Sequence, residues 1–256
     1  MSLGKKRVLL AGLIAAFAAA VALTAPASAS SVTVICTGVS PFSGPAITTM
    51  NANLELDGEG WCRLPPGNVI NGNVRVTEKA RFFVQGTING NVEADTEHEF
   101  PDGPIPDPFT PGNAILMSGS GAIDGNVVQE GSGTLQLSGT VDGNVEINGT
   151  GMLKIGAISG NANLTGNVSH KGRGCVLVFT SNGLSVSING NVASIGGGVV
   201  WLEPLAANVL QPECTVEVFP TDPGGPITID GNTCGVVIDP ENLGGVTVTG
   251  NVSANC

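Results

Sequence analysis

Apolar and polar residues alternate along much of the chain after residue 66, and one short phrase recurs within that alternation. The phrase is a branched apolar residue, a polar residue, Gly, Asn and usually Val, as in Val141-Asp142-Gly143-Asn144-Val145. Its glycines are Gly72, Gly90, Gly125, Gly143, Gly166, Gly190, Gly231 and Gly250. A period of two indicates β-strands, and a phrase repeated at a regular spacing indicates one small unit stacked on copies of itself.

The shortest regular spacing of these glycines is 18 residues, which predicts coils of about that length. Residues 95–112, between the second and third phrases, contain five prolines and no apolar alternation, so we expect them to be an insertion within one coil. A degenerate phrase at Ile158-Ser159-Gly160-Asn161-Ala162 falls 17 residues after Gly143. That phrase predicts an additional coil position.

These coils predict an all-β fold, a parallel β-helix with at least two short strands per coil and disulfide-stabilised ends. Parallel strands normally need long crossovers, but a coil avoids them by returning to the same place one level up. The branched residue and the Val of each phrase are expected to fill the interior. A β-sandwich is the alternative, because it also has short strands and frequent turns. It would not explain why one phrase recurs in one register.

The chain begins with a predicted export signal, residues 1–29. Three basic residues at 5–7 precede an apolar stretch at 8–23, and Ala27-Ser28-Ala29 fits a cleavage site. A membrane anchor is the alternative, but the stretch is shorter than the ~20 residues that span a bilayer. We therefore expect cleavage near Ala29, a secreted, periplasmic or cell-surface protein, and no transmembrane segment in the mature chain.

Beyond the signal, the pattern predicts three further segments. Residues 30–66 form an N-terminal cap, residues 67–198 form the β-helix repeats with the insertion, and residues 199–256 form irregular C-terminal coils and a cap. Prolines and Trp201 interrupt the repeat between residues 199 and 226, which predicts an excursion from one coil.

All of the cysteines lie after the signal. They are Cys36, Cys62, Cys175, Cys214, Cys234 and Cys256. An even number in an exported chain indicates three disulfides, with free buried thiols as the alternative. Cys36 and Cys62 bracket the start of the solenoid, whereas the pairing of the other four stays open. No CxxC or paired-His spacing indicates zinc.

The charge balance limits the partners. Loss of the three basic residues of the signal changes the formal net charge from −11 to −14. Nucleic acids and anionic membrane surfaces are bound by Lys and Arg patches, so both are excluded as expected partners.

Two polar positions of the phrase are candidate sites. The asparagines after the glycines are expected to hydrogen-bond coil to coil in a structural ladder. They are Asn73, Asn91, Asn126, Asn144, Asn167, Asn191, Asn232 and Asn251. Before the glycine, Asp124 and Asp142 would stack about 4.8 Å apart, either solvated or bridged by a cation, for which calcium is the candidate. We otherwise expect no cofactor.

A catalytic site is not indicated. No catalytic motif is present, and the densest basic cluster, His170-Lys171-Gly172-Arg173, is predicted to be a solvated loop. A depolymerase acting through Asp124 or Asp142 is the enzyme alternative, because glycan cleavage uses paired carboxylates. A surface-binding face would need a regular column of Thr, whereas Thr87, Thr140 and Thr165 are scattered along the sequence.

The repeat resembles that of the bactofilins, bacterial polymer-forming β-helix proteins. The likeness lies in Gly139-Thr140-Val141-Asp142-Gly143-Asn144-Val145-Glu146-Ile147 and in the equivalent stretch from Gly86 to Ala94, and it covers mainly residues 67–170. It implies a non-enzymatic scaffold that assembles end to end. The export signal and the six cysteines depart from that family, and ends rich in disulfides would cap the rod rather than extend it.

Together these patterns predict an exported, non-enzymatic β-solenoid with a structural, scaffold or adhesive role at the cell envelope or outside the cell. Its candidate partners are further copies of itself and a cell-surface polysaccharide. A polysaccharide-binding module or a polysaccharide-degrading β-helix enzyme is the alternative function.

Overall fold

The computed structural model describes thirteen stretches of the chain. They are residues 30–77, 79–96, 113–157, 160–172, 175–180, 184–195, 199–203, 209–211, 214–216, 227–231, 233–234, 236–238 and 246–253. All regular structure in these stretches is β-strand, and all of the strands except β22 and β23 stack in parallel into three sheets. The predicted parallel β-solenoid is therefore confirmed, and each complete coil contributes one strand to each sheet.

The three sheets are numbered in the order in which a coil passes through them. Sheet 1 contains β3 (Trp61–Leu64), β6 (Arg81–Val84), β9 (Asn113–Met117), β12 (Thr134–Leu137), β15 (Met152–Ala157), β18 (Cys175–Thr180), β21 (Val199–Glu203) and β26 (Val236–Ile238). Sheet 2 contains β4 (Val69–Ile70), β7 (Thr87–Ile88), β10 (Ala122–Asp124), β13 (Gly139–Asp142), β16 (Ala162–Leu164), β19 (Val186–Ile188), β24 (Ile227–Ile229) and β27 (Val246–Val248). Sheet 3 contains β1 (Ser31–Ile35), β2 (Asn53–Asp57), β5 (Val74–Thr77), β8 (Val92–Thr96), β11 (Val127–Gly131), β14 (Val145–Gly149), β17 (Val168–Lys171), β20 (Val192–Ile195), β25 (Thr233–Cys234) and β28 (Val252–Ser253).

The coil length varies along the rod. Val127 pairs with Val145, a coil of 18 residues, but Val145 pairs with Val168, a coil of 23. Because β13 pairs directly with β16, which begins at Ala162, no further coil lies between Gly143 and Gly166. The additional coil position predicted at Ile158 to Ala162 is therefore wrong.

Two long stretches interrupt single coils. β8 pairs directly with β11, so the spacing of 35 between Gly90 and Gly125 is one coil. Asp95 and Thr96, expected in the insertion, belong to β8, and residues 97–112 lie outside the described residues. β19 likewise pairs with β24, and between them β22 (Val209–Gln211) and β23 (Cys214–Val216) form a small antiparallel hairpin.

The interior is filled by one side of the period-two pattern. Val141, Val145 and Ile147 are buried, whereas Asp142 and Asn144 of the same stretch are exposed. Most of the equivalent residues in the described coils belong to one continuous apolar core. Removing these columns of side chains from water is the main force that holds the coils together, at about 25 cal/mol per Å² of apolar surface.

The N-terminal end of the rod carries the disulfide Cys36–Cys62, with both residues buried and their Cα atoms 4.9 Å apart. This pair was expected from its position at the start of the solenoid. The side chains of the other four cysteines lie outside the described part of the structure. Over the described ranges, no helix is long and apolar enough to cross a membrane.

Candidate functional site: ladders and outward faces

The asparagines of the phrase form a hydrogen-bonded column where each coil turns from sheet 2 into sheet 3. The backbone N–H of Asn144 donates to the Asn126 side-chain Oδ1 at 2.9 Å, and the Asn144 amide Nδ2 donates to the same oxygen at 3.2 Å. The backbone bond recurs at 2.9–3.0 Å at Asn73, Asn91, Asn126, Asn167 and Asn191. The column begins at Asn53, which the phrase did not identify.

The column stabilises a corner of the backbone. The Asn144 carbonyl accepts from Val127 N–H of the coil before, and its own N–H is satisfied by a side chain. A backbone amide buried between coils without a partner would cost about 1–3 kcal/mol. Each asparagine therefore closes the corner of the next coil. Asn232 lies outside the described residues, and Asn251 stands at the equivalent corner of the last coil.

The glycine of the phrase is required by crowding. A Cβ on Gly143 would collide with the carbonyl of Gly125 in the coil before, and a Cβ on Gly166 would collide with that of Gly143. Because the colliding atoms are backbone, no rotamer change could relieve the clash. The two residues Gly and Asn between sheet 2 and sheet 3 are called the Gly-Asn corner below.

The polar residues before the glycine form a second, exposed column. The amide of Asn89 donates to Asn71 Oδ1 at 2.6 Å, and the Thr165 hydroxyl donates to Asp142. Asp124 and Asp142 are paired in register on adjacent strands, as the repeat predicted. Their carboxylates are held at the spacing of neighbouring strands.

A metal site at these carboxylates stays a prediction. Within the described ranges, no group of three or more His, Cys, Asp or Glu residues is arranged to hold a metal ion. Asp124 and Asp142 alone supply two oxygen-bearing side chains, whereas calcium takes 6–8 oxygen ligands. Waters would have to supply most of its coordination.

The outward face of sheet 2 is more regular than the sequence suggested. Its central column, one residue per coil, is Val69, Thr87, Ala122, Thr140, Asn163, Ser187, Thr228 and Thr247. Thr87 and Thr140 thus belong to one column and Thr165 to the adjoining one, but Ala122 lies between Thr87 and Thr140, so the column is not a regular ladder of threonine. The unequal coil lengths hide this column along the sequence. Its members are nevertheless recognisable, since each directly precedes the first residue of a phrase.

The outward face of sheet 3 carries opposite charges. The Lys171 ammonium donates to Glu146 Oε1 at 2.6 Å, and Arg75 Nη2 lies 3.5 Å from Asp95 Oδ2. The hydrogen bond from Lys171, aided by Asn148, lowers the pKa of Glu146. Exposed pairs of this kind contribute about 0.2–1 kcal/mol each.

The outward face of sheet 1 is apolar near the N-terminal end. Trp61, Phe83 and Leu116 form a buried cluster outside the solenoid core, and Phe42 packs edge-on against Phe83 at 5.3 Å. The Arg81 guanidinium lies 5.9 Å from the centre of the Trp61 ring. Further along this face, burial lowers the pKa of Lys154.

The prediction for the basic cluster at residues 170–173 is wrong at His170. This residue lies in β17 with its side chain inside the solenoid and 0 % exposed, whereas Lys171 is exposed. Period two places the two side chains on opposite sides of the sheet. Arg173 and His98 lie outside the described residues.

The N-terminal end of sheet 3 presents an open strand edge. In the described structure β1 pairs only with β2, so its other edge has no strand partner. The exposed large apolar residues in the described ranges are Val32, Ile35, Val39, Phe42 and Ile195. All but Ile195 lie at this end of the rod.

No protein-family model, curated protein or solved structure matches the chain. The likeness of the repeat to that of the bactofilins therefore stays a prediction.

Proposed function

We propose that this protein is an exported, non-enzymatic β-solenoid with a structural role at the cell envelope or outside the cell. In this proposal it associates with further copies of itself through the N-terminal end of the rod. The observation that carries the proposal is the open edge of β1 together with the exposed apolar residues beside it.

A free strand edge is a template for another strand, because its backbone N–H and C=O groups are unpaired. The edge of β1 is five residues long and rich in β-branched residues, with Ile35 55 % exposed, and Val39, four residues beyond the strand, is 93 % exposed. The opposite end of a second copy offers parallel strands of the same sheets. The disulfide at this end joins Cys36 to Cys62, and among the described strands none pairs with the outer edge of β1.

Negative-stain electron microscopy and light scattering of the oxidised protein lacking residues 1–29 test this assembly. We expect end-to-end chains or filaments, and single rods for the double variant Ile35→Lys with Val39→Lys. Ile195→Lys is the matched control, because Ile195 is exposed on the side of the rod, and it should assemble normally. Single rods of the unsubstituted protein at high concentration would contradict the proposal.

A second candidate function is the binding of a neutral polysaccharide along the outward face of sheet 2. The column that contains Thr87, Thr140 and Ser187 and the adjoining polar column offer hydroxyl, amide and carboxylate groups at one strand spacing, about 4.8 Å. Sugars are bound by such groups, and a straight glycan chain could meet equivalent partners on successive coils. The polar, exposed character of this face favours a hydrated, uncharged partner.

Co-sedimentation with insoluble polysaccharides, cellulose and chitin among them, tests this second function. Thr140→Arg should weaken binding at least tenfold by placing a long charged side chain in the middle of the face. Ser169→Arg, on the outward face of sheet 3, should bind like the unsubstituted protein. Equal binding by both variants would exclude sheet 2 as the binding face.

A further inference from the structure

The inner column of sheet 3 changes its chemistry along the rod. In the first coils it consists of Leu56, Val76 and Ala94, all fully buried. In the later coils it continues as Gln129, Ile147, His170 and Ser194. Three polar residues therefore lie in the interior of four successive coils, where all other described coils place apolar residues in this column.

These polar groups are incompletely hydrogen-bonded. His170 Nε2 lies 3.1 Å from the Gly151 carbonyl oxygen, which it reaches as an N–H donor. His170 Nδ1, Ser194 Oγ and both amide atoms of Gln129 are buried without a protein partner. A Cβ on Gly151 would lie 3.0 Å from Gln129 Nε2, so Gln129 and His170 approach the same backbone corner from different coils.

Among the described residues, no charged group faces His170 to balance an imidazolium. Its neighbours in the inner column are Ile147 and Ser194. Sheets 1 and 2 contribute buried apolar residues to these coils, among them Leu153, Leu164, Val176 and Val186, and their buried polar residues, such as Thr180, are uncharged. The charged side chains described on the strands of these coils lie on the outward side, as period two requires; they are Glu130, Asp142, Glu146, Lys154 and Lys171.

We propose that His170 makes the central coils an acid-sensitive element of the rod, in which protonation of the buried imidazole loosens the packing of β14, β17 and β20. A charge in an apolar interior is costly unless it is paired, so the proton is accommodated only if the coils separate and admit water. The neutral imidazole keeps its bond to Gly151, and the coils stay closed.

The direction of the pH effect follows from the two states of the imidazole. Burial lowers the pKa of His170 from its ordinary value of 6.5, and the hydrogen bond to Gly151 opposes that shift. The unfolded chain therefore binds a proton that the folded chain excludes between its lowered pKa and 6.5. Stability is complete above this range and falls as the pH falls through it, by up to tenfold in the unfolding equilibrium per pH unit.

Urea unfolding of the oxidised protein at several values between pH 7.5 and pH 5 tests the proposal. The unsubstituted protein should lose stability steadily below pH 6.5. His170→Gln should show a flat profile over this range, because Gln can donate to Gly151 but does not titrate. His98→Gln is the matched control, since His98 is the other histidine of the chain, and it should keep the full pH dependence.

Two results would overturn the proposal. One is a parallel pH profile for the unsubstituted protein and His170→Gln. The other, which does not depend on the variant folding, is an imidazole that titrates at or above pH 6.5 in an NMR titration of the folded, unsubstituted protein. Hydrogen exchange at pH 5.5 should in addition show faster exchange in β14, β17 and β20 than in β2 and β5.

Discussion

The two corners on either side of sheet 2 follow opposite rules. At the Gly-Asn corner, the distance along the chain from the last inward residue of sheet 2 to the first residue of sheet 3 is constant, as from Val141 to Val145 and from Leu164 to Val168. At the corner between sheets 1 and 2, the chain passes from Leu137 to Gly139 in one coil but from Glu203 to Ile227 in another. Extra residues are thus accepted at one corner and excluded at the other.

The difference has a local cause. At the Gly-Asn corner the backbone N–H of the asparagine donates to the asparagine side chain of the coil before, as from Asn144 to Asn126. The glycine lies against the carbonyl of the glycine in that coil, as Gly143 does against Gly125. One additional residue would break both contacts. At the corner between sheets 1 and 2 such contacts occur in single coils, as from Ser185 N–H to Asn161 Oδ1, and do not continue as one column through the described coils. A longer loop there costs only about 0.6 kcal/mol per doubling of its length. Close stacking, rather than proximity to the core, determines where this fold tolerates insertions.

Inserting Gly-Ser at each corner in turn should give the largest difference in the free energy of unfolding between the two corners. Between Gly143 and Asn144, the insertion displaces two ladder bonds and the glycine contact, so we expect a loss of about 3 kcal/mol or more in the free energy of unfolding. The same insertion within residues 181–183, between sheets 1 and 2, should cost less than about 1 kcal/mol. Urea unfolding monitored by circular dichroism measures both, and equal losses would refute the corner rule.

Removing one step of the ladder should have a smaller effect. Asn144→Ala leaves the backbone N–H of Asn167 without its side-chain acceptor and removes the amide bond from Asn144 to Asn126, which should cost about 1–3 kcal/mol. Asn148→Ala is the control, because the Asn148 amide bonds to Glu130 on an exposed face, and it should change stability by less than about 0.5 kcal/mol. An unchanged melting temperature for Asn144→Ala would mean that the ladder does not stabilise the corner.

The smallest effect is expected beside the corner, at the paired carboxylates. Asp142→Asn removes the charge opposite Asp124 and should stabilise the protein by about 0.2–1 kcal/mol. The gain should shrink in 1 M salt, where the Debye length falls to about 3 Å. Thermal melting at low and high salt measures it. If Asp142→Asn is instead less stable than the unsubstituted protein only in buffer that contains calcium, the two carboxylates hold a cation.

The sequence predicted the Gly-Asn corner well because the same close contact constrains the same residue types in every coil. It predicted the strand alternation of Val141 to Ile147 for a similar reason, because the inward positions there are apolar or glycine and the outward positions are polar. The number of sheets was less accessible, because only Ser138 separates β12 from β13, and Gly139, which has a φ of 96° at that turn, is already the first residue of β13.

The residues that sequence reasoning missed are those whose setting depends on register. His170 lies next to Lys171 in a basic run, and only its pairing with Ile147 and Ser194 places it inside. The column through Thr140, Asn163 and Ser187 was obscured by coils of 23 and 24 residues. In both cases the necessary information was long-range pairing, which composition and local spacing do not contain.

The bonds of the ladder all run the same way, from the backbone of each coil to the side chain of the one before. A stretch such as 127–144 therefore begins and ends at equivalent points and carries its own share of all three sheets. Such a stretch is a unit of duplication or deletion: its gain or loss would change the rod by one step of about 4.8 Å and leave the chemistry of both ends intact. Evolution can thus change the length of the rod without changing the surfaces at its two ends.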